Sequence, residues 1–268
     1  MEVSRMSKGM LIKTCAGLIL AAVIIPLVII GGIWADIVVA LISVLAAYEI
    51  ASLFDQKPHW YLTILFTLWI ELIAYTPVHW FAAVAAGLLV FLFVIMLVHE
   101  EFQIDHVVYS FLLILIVSLG WQAVIRYYHA GMNGLGILYV GLACFICDTG
   151  AYFFGVFTGK HKMIPRISPN KTWEGAVGGY FSGLIVSLVF GSLTCPFLPK
   201  SLIIAGSLVL PAIAEIGDLA FSSVKRRFGI KDFGSLIPGH GGILDRIDSL
   251  LFCFFVFNGM MILWGFGL

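Results

Sequence analysis

Apolar runs as long as a lipid hydrocarbon core is thick recur from one end of this chain to the other, and no other feature limits its fold as strongly. A helix crossing about 30 Å of hydrocarbon needs about 20 mainly apolar residues. Runs meeting that rule lie near 10–31, 33–53, 60–76, 79–98, 107–126, 134–157, 175–197, 201–224 and 248–267. The residues are 61% hydrophobic and 11% charged, with a mean hydropathy of +1.07, whereas a soluble domain carries about 25% charged residues. No stretch between the runs is polar enough to fold separately in water. The expected fold is therefore all-α: a polytopic integral membrane protein with about nine transmembrane helices, forming a single transmembrane domain over 1–268.

Arg5, Lys8 and Lys13 precede the first run as in a signal peptide, but the run is too long for a signal core and no A-x-A site follows. An uncleaved first span is expected. Nine spans put the termini on opposite sides, and the positive-inside rule then selects the side. With the N-terminus cytoplasmic, every Lys and Arg except Arg126 and Lys200 falls on the cytoplasmic side. Lys160, Lys162, Arg166 and Lys171 gather in the loop 158–174, and Lys225, Arg226, Arg227, Lys231 and Arg246 in the loop 225–247. The reading is a multi-pass protein of the cell membrane with both basic loops, and hence the active site, facing the cytoplasm. Trp34, Trp60, Trp80, Trp121 and Trp173 near span ends are expected to form an interfacial aromatic belt. A formal net charge of zero gives no bulk attraction to nucleic acid, and no nucleic-acid partner is expected. Cys15, Cys144, Cys147, Cys195 and Cys253 lie in or beside apolar runs and read as small buried hydrophobes; the C-x-x-C of Cys144 and Cys147 lacks a redox or zinc-ribbon context.

Acids at membrane depth are costly and mark function by default. Glu49, Glu71, Asp148, Glu215 and Asp218 are in this position. Glu49 and Glu71 have no basic loop near them in sequence and read as acids satisfied by neighbouring helices or an interface. Asp218 is different: at about 100° per residue, Glu215, Asp218, Ser222, Lys225 and Arg226 share one helical face. A line of carboxylate, hydroxyl, ammonium and guanidinium suits a metal ion at depth with phosphates above it. Asp245 and Asp248, three residues apart before the last run, make a second carboxylate pair of the kind that holds Mg²⁺ together with substrate phosphates; acids complementing a helix dipole would explain one of the two. Gly239, Gly241 and Gly242 allow close backbone approach to an anion. In S-P-N-K-T-W-E-G (Ser168 to Gly175) hydroxyls and a lysine offer either an anion site or a helix start, with Ser168, Thr172 and Glu174 as capping candidates.

The stretch from Ser222 to Asp248, S-S-V-K-R-R-F-G-I-K-D-F-G-S-L-I-P-G-H-G-G-I-L-D-R-I-D, resembles the signature of the phosphatidate cytidylyltransferase (CDP-diacylglycerol synthase) family of bacterial type throughout its length. The S-P-N-K-T-W-E-G block and the C-D-T-G-A-Y-F-F-G around Asp148 also look like blocks of that family. By this resemblance 131–268 is the catalytic part and 1–130 an N-terminal helical part. It implies a homodimeric enzyme that transfers CMP from CTP to phosphatidic acid, in a cytosol-facing cavity with Mg²⁺, and possible use of a monovalent cation such as K⁺. Carried over by position, Asp218 and Asp245 are the principal metal ligands, with Asp248 and Asp148 close by. Asp218, Asp245, Lys225 and Arg226 form the catalytic set; Lys171, Ser222, Lys225, Arg226 and Lys231 handle phosphates. Ser168, Asn170, Thr172, His240 and Arg246 complete the substrate-binding set, His240 as proton carrier or phosphate contact. Two rivals fail on motif. Intramembrane aspartyl proteases resemble Y-D and G-x-G-D where this chain has Cys147-Asp148 and Glu215-Ile216-Gly217-Asp218, and the D-G-x-x-A-R block of CDP-alcohol phosphotransferases is missing.

Overall fold

The computed structural model describes residues 26–129, 131–234 and 241–266. Most of the expected first span, Cys15 and the Gly239–His240 pair lie outside the described residues. The helices are α1 (Ile33–Ala51), α2 (Trp60–Ala74), α3 (Val78–Val98), α4 (Ile104–His129), α5 (Gly134–Thr158), α6 (Trp173–Thr194), α7 (Lys200–Arg227) and α8 (Leu244–Leu263). Each coincides with one of the apolar runs to within a few residues. Among the described residues seven helices are long and apolar enough to cross a membrane. The exception is α2: its 15 residues reach only about 22 Å at 1.5 Å per residue, short of a hydrocarbon core. At the other extreme α7, with 28 residues, exceeds the core, so its basic last turn of Lys225, Arg226 and Arg227 extends past the apolar layer.

The structure adds one element to the all-α expectation. Between α5 and α6 the chain forms a short antiparallel hairpin, β1 (Lys162–Ile164) and β2 (Ser168–Thr172), with Lys162 opposite Thr172 and Ile164 opposite Ser168. No helical period runs through this segment, and Pro169 is tolerated because a two-stranded ribbon has only edge strands. Thr172 is the N-cap of α6, its hydroxyl accepting from the Gly175 amide at 3.2 Å. Glu174 reaches back to accept from the Lys160 amide at 3.1 Å and to meet His161 Nδ1 at 2.6 Å. The hairpin is thus tied to the start of α6 by its own capping residues.

Helices α5 and α6 approach to backbone contact along a stripe of small residues. A Cβ on Gly175, Gly179 or Gly183 would stand 2.7, 2.5 or 2.7 Å from the carbonyl oxygens of Ala151, Cys147 and Ala143 respectively. Their four-residue spacing keeps them on one face, the small-xxx-small arrangement that lets membrane helices pack closely. The opposite face of α6, with Val177, Phe181, Ile185 and Val189, is exposed and apolar, as lipid requires. Gly179→Leu should force the two helices apart and destabilise the protein by about 1–3 kcal/mol or more, seen as a lower unfolding temperature in detergent. Phe181→Leu, on the lipid side, should leave that temperature unchanged.

Three buried polar side chains are paired across helices, which offsets the cost of removing them from water. Tyr139 donates to the Ile203 carbonyl at 2.8 Å, Gln122 to the Thr76 carbonyl at 2.9 Å, and Tyr127 to the Phe254 carbonyl. Four of the five tryptophans expected at the interface are exposed, but Trp121 is not: it is 4% exposed and belongs to the core. Its place near the end of the apolar run at 107–126 is misleading because α4 continues to His129, which leaves Trp121 more than two turns inside the helix. Cys144, Cys147, Cys195 and Cys253 are buried and unbridged, in line with the reading of them as small hydrophobes.

Candidate active site

Helices α5, α7 and α8 and the strand β2 converge on a cavity of about 580 Å³ whose lining includes Asp148, Lys171, Glu215, Asp218, Asp245 and Asp248. That volume is in the range of small-molecule sites. Each element brings its group by a simple periodic rule. Glu215 and Asp218, three apart, face the cavity together from α7; Asp245 and Asp248 do the same from the first turns of α8; Asp148 comes from the middle of α5. Strand β2 supplies Lys171 from the side, with Ser168, Asn170 and Thr172 also at the wall.

The lysines are already engaged. Lys171 Nζ lies 2.6 Å from Glu215 Oε2 and 2.7 Å from Asp218 Oδ2, with 11% of its side chain exposed. Burial works against its ammonium form, but Asp218 and Glu215 outweigh burial and hold its pKa above the ordinary lysine value. Lys225 Nζ lies 2.7 Å from Asp245 Oδ1, both side chains being under 10% exposed, and stands 5.5 Å above the Phe233 ring. Asp245 Oδ2 accepts in addition from the Phe233 and Gly242 amides at 2.8 and 2.9 Å. Ser222 is 3.4 Å from Asp218 Oδ1. Ser249 joins the remaining acids, its hydroxyl 3.1 Å from Asp248 Oδ1 and 3.4 Å from Asp148 Oδ2.

Five carboxylates therefore face two ammonium groups, three negative charges in excess if all are ionised. Such an imbalance in a protein-lined cavity calls for cations. The donors are all oxygens, which fits a hard ion such as Mg²⁺. Among the described residues no three His, Cys, Asp or Glu side chains converge into a ready-made metal cage. The lysines account for this, since Lys171 bridges Glu215 to Asp218 and Lys225 holds Asp245.

Most of the residues singled out in the sequence meet here: Asp148, Asp218, Asp245, Asp248, Lys171, Lys225, Ser222, Ser168, Asn170 and Thr172. Others do not. Arg226 is exposed and does not line the cavity; its guanidinium donates to the Ile167 carbonyl at 3.0 Å and the Ile230 carbonyl at 2.7 Å, fastening the hairpin to the end of α7. Lys231 and Arg246 are exposed and absent from the lining, and His240 lies outside the described residues. Thr172 turns out to be a cap as well as a wall residue. Glu215 was legible on the face shared with Asp218, yet its pairing with Lys171 depends on the hairpin and was not. Ser249 carried no sequence signal.

Positions 11–264 match the profile of the Cytidylyltransferase family. Phosphatidate cytidylyltransferase of Staphylococcus aureus (strain COL) is 44% identical over 137 residues, covering 51% of this chain and 53% of that protein. The proteins of the same name from Staphylococcus haemolyticus (strain JCSC1435) and Staphylococcus saprophyticus are 44% identical over 137 residues and 46% identical over 126 residues. In each case the match spans about half the length of the relative.

Proposed function

This chain belongs to the cytidylyltransferase family, and from that premise we propose that it is a phosphatidate cytidylyltransferase, transferring CMP from CTP to phosphatidic acid to give CDP-diacylglycerol and pyrophosphate. The observation that carries this reading is the carboxylate-rich cavity set among membrane-spanning helices, where a water-soluble polyanion and a membrane lipid can meet. The names of the staphylococcal relatives support the same substrates.

In the proposed reaction a phosphate oxygen of phosphatidic acid attacks the α-phosphorus of CTP; the new P–O bond forms as the bond to the β-phosphate oxygen breaks, and pyrophosphate leaves. A phosphate monoester is already ionised at neutral pH, so no strong general base is needed. The protein's task is to position two polyanions and neutralise developing charge. Asp218 and Asp245, with Asp148, Asp248 and Glu215 nearby, would hold Mg²⁺, which when bound supplies Lewis-acid neutralisation of phosphate oxygens. With those carboxylates engaged by a cation, Lys171 and Lys225 would be available to substrate phosphates. Ser168, Asn170 and Thr172 offer hydroxyl and amide groups at the same wall, and Ser222 stands beside Asp218. The motif resemblance adds a homodimer and a monovalent cation such as K⁺ to this reading. Purified protein in detergent should release pyrophosphate only when CTP, phosphatidic acid and Mg²⁺ are all present; release without the lipid would point to a simple CTP hydrolase.

On this reading the chemistry faces the cytoplasm, where CTP is available, with the lipid entering sideways from the bilayer; the clustering of Lys and Arg in the two basic loops supports that orientation. Single cysteines introduced at 162–167 and at 230–232 should both be shielded from an impermeant thiol reagent added outside intact cells, and both should react after the membrane is opened. Labelling of either from outside would contradict the shared cytoplasmic face.

A further inference from the structure

Glu49 is one of the acids that the apolar runs make conspicuous, and it is 1% exposed near the end of α1, far in sequence from every residue of the cavity. Its carboxylate accepts from the Ile243 amide at 2.6 Å and the Leu244 amide at 2.9 Å. These are among the unpaired donors at the start of α8, a helix with no side-chain cap of its own. A carboxylate there also complements the positive end of the helix dipole. The surroundings are shaped around it: a Cβ on Gly242 would stand 2.5 Å from both Glu49 oxygens, and one on Gly234 would stand 3.0 Å from Oε1. Gly242 has no left-handed backbone to maintain, so what it supplies is room for Glu49.

The same bend is gripped from its other side by Asp245, which accepts from the Gly242 amide at 2.9 Å and the Phe233 amide at 2.8 Å. Glu49 and Asp245 thus hold consecutive amides, Gly242 on one carboxylate and Ile243 and Leu244 on the other. The geometry points to Glu49 as a positioning residue: it replaces the missing cap of α8 and thereby fixes the direction in which Asp245 and Asp248 enter the cavity. This rests on the proposed role of those aspartates in holding Mg²⁺. It also gives the N-terminal helical part a place in the chemistry.

The test uses full-length protein in detergent, with two readings taken across an Mg²⁺ titration: the unfolding temperature without substrates and the rate of CMP transfer. For Glu49→Gln the Mg²⁺ concentration at the half-point should rise about tenfold in both readings, the usual size of effect when a group orienting a metal ligand is lost. Glu71→Gln, an acid of α2 whose carboxylate makes no hydrogen bond or ion pair to α8 among the described residues, should leave both half-points in place. Gly242→Ala, which keeps the Glu49 charge and only crowds it, should reproduce the shift and decides the matter if Glu49→Gln does not fold. A purely structural cap would lower the unfolding temperature equally at every Mg²⁺ concentration and leave the half-point unmoved; that result in both variants overturns the inference. Wild-type protein with no Mg²⁺-dependent shift in either reading overturns the metal site itself, and the role of Glu49 with it.

Discussion

Asp218→Asn should lower kcat by on the order of a hundredfold or more while leaving the protein folded. Asp218 is one of two carboxylates on Lys171, the other being Glu215 at 2.6 Å, so the lysine keeps a counter-charge when Asp218 loses its own. The side chain of Asp218 is also 34% exposed to the cavity, so its neutralisation strands no buried partner. What is lost is a hard oxygen donor at the point where charge develops in phosphoryl transfer. Unfolding temperature and turnover measured side by side should separate clearly. If turnover and its Mg²⁺ dependence stay near wild type, Asp218 serves only as a partner for Lys171.

Asp245→Asn should damage both properties. The Asp245 side chain is 4% exposed and accepts from Lys225 and from two backbone amides. An asparagine cannot satisfy three donors around those two oxygens, and it leaves the Lys225 ammonium buried without its counter-charge. Breaking a buried pair in this way costs about 3–5 kcal/mol. The double variant Asp245→Asn with Lys225→Met should recover much of the unfolding temperature, because removing both charges avoids the stranded ion, yet it should not recover turnover. Recovery of turnover together with stability would show that Asp245 acts only as a structural clasp for the loop at 233–245.

The contrast between these two aspartates was only partly visible in the sequence. Helical periodicity on α7 was enough to place Glu215, Asp218, Ser222 and Lys225 on one face, because every residue of a continuous helix is related to the others by a fixed rotation. Apolar run length located the seven long helices for the same reason: one physical requirement, burial of about 20 residues in hydrocarbon, dominates each. Long-range pairing has no such periodic signature. Nothing local says that Glu49 will cap a helix starting at Leu244, or that Lys171 will lie between Glu215 and Asp218 rather than pointing to solvent. Arg226 is the reverse case: it sits at the edge of the α7 face, and from there its guanidinium reaches the carbonyls of Ile167 and Ile230, contacts that helical periodicity does not encode. The hairpin that provides Ile167 is three and five residues per strand, too short to register against the helical pattern around it. Trp121 was placed by run ends, which mark the limit of strong hydropathy and not the end of α4.

Transfer of the α-phosphorus of CTP onto a lipid phosphate can be followed by supplying the purified protein with phosphatidic acid, Mg²⁺ and CTP labelled either at the α- or at the γ-phosphate. The α-label should pass into the organic phase in proportion to phosphatidic acid consumed, the γ-label should stay in water as pyrophosphate, and chelating Mg²⁺ should abolish both the lipid label and the pyrophosphate. Label from the γ-phosphate in the lipid, or α-label that reaches the organic phase without phosphatidic acid, would contradict that transfer.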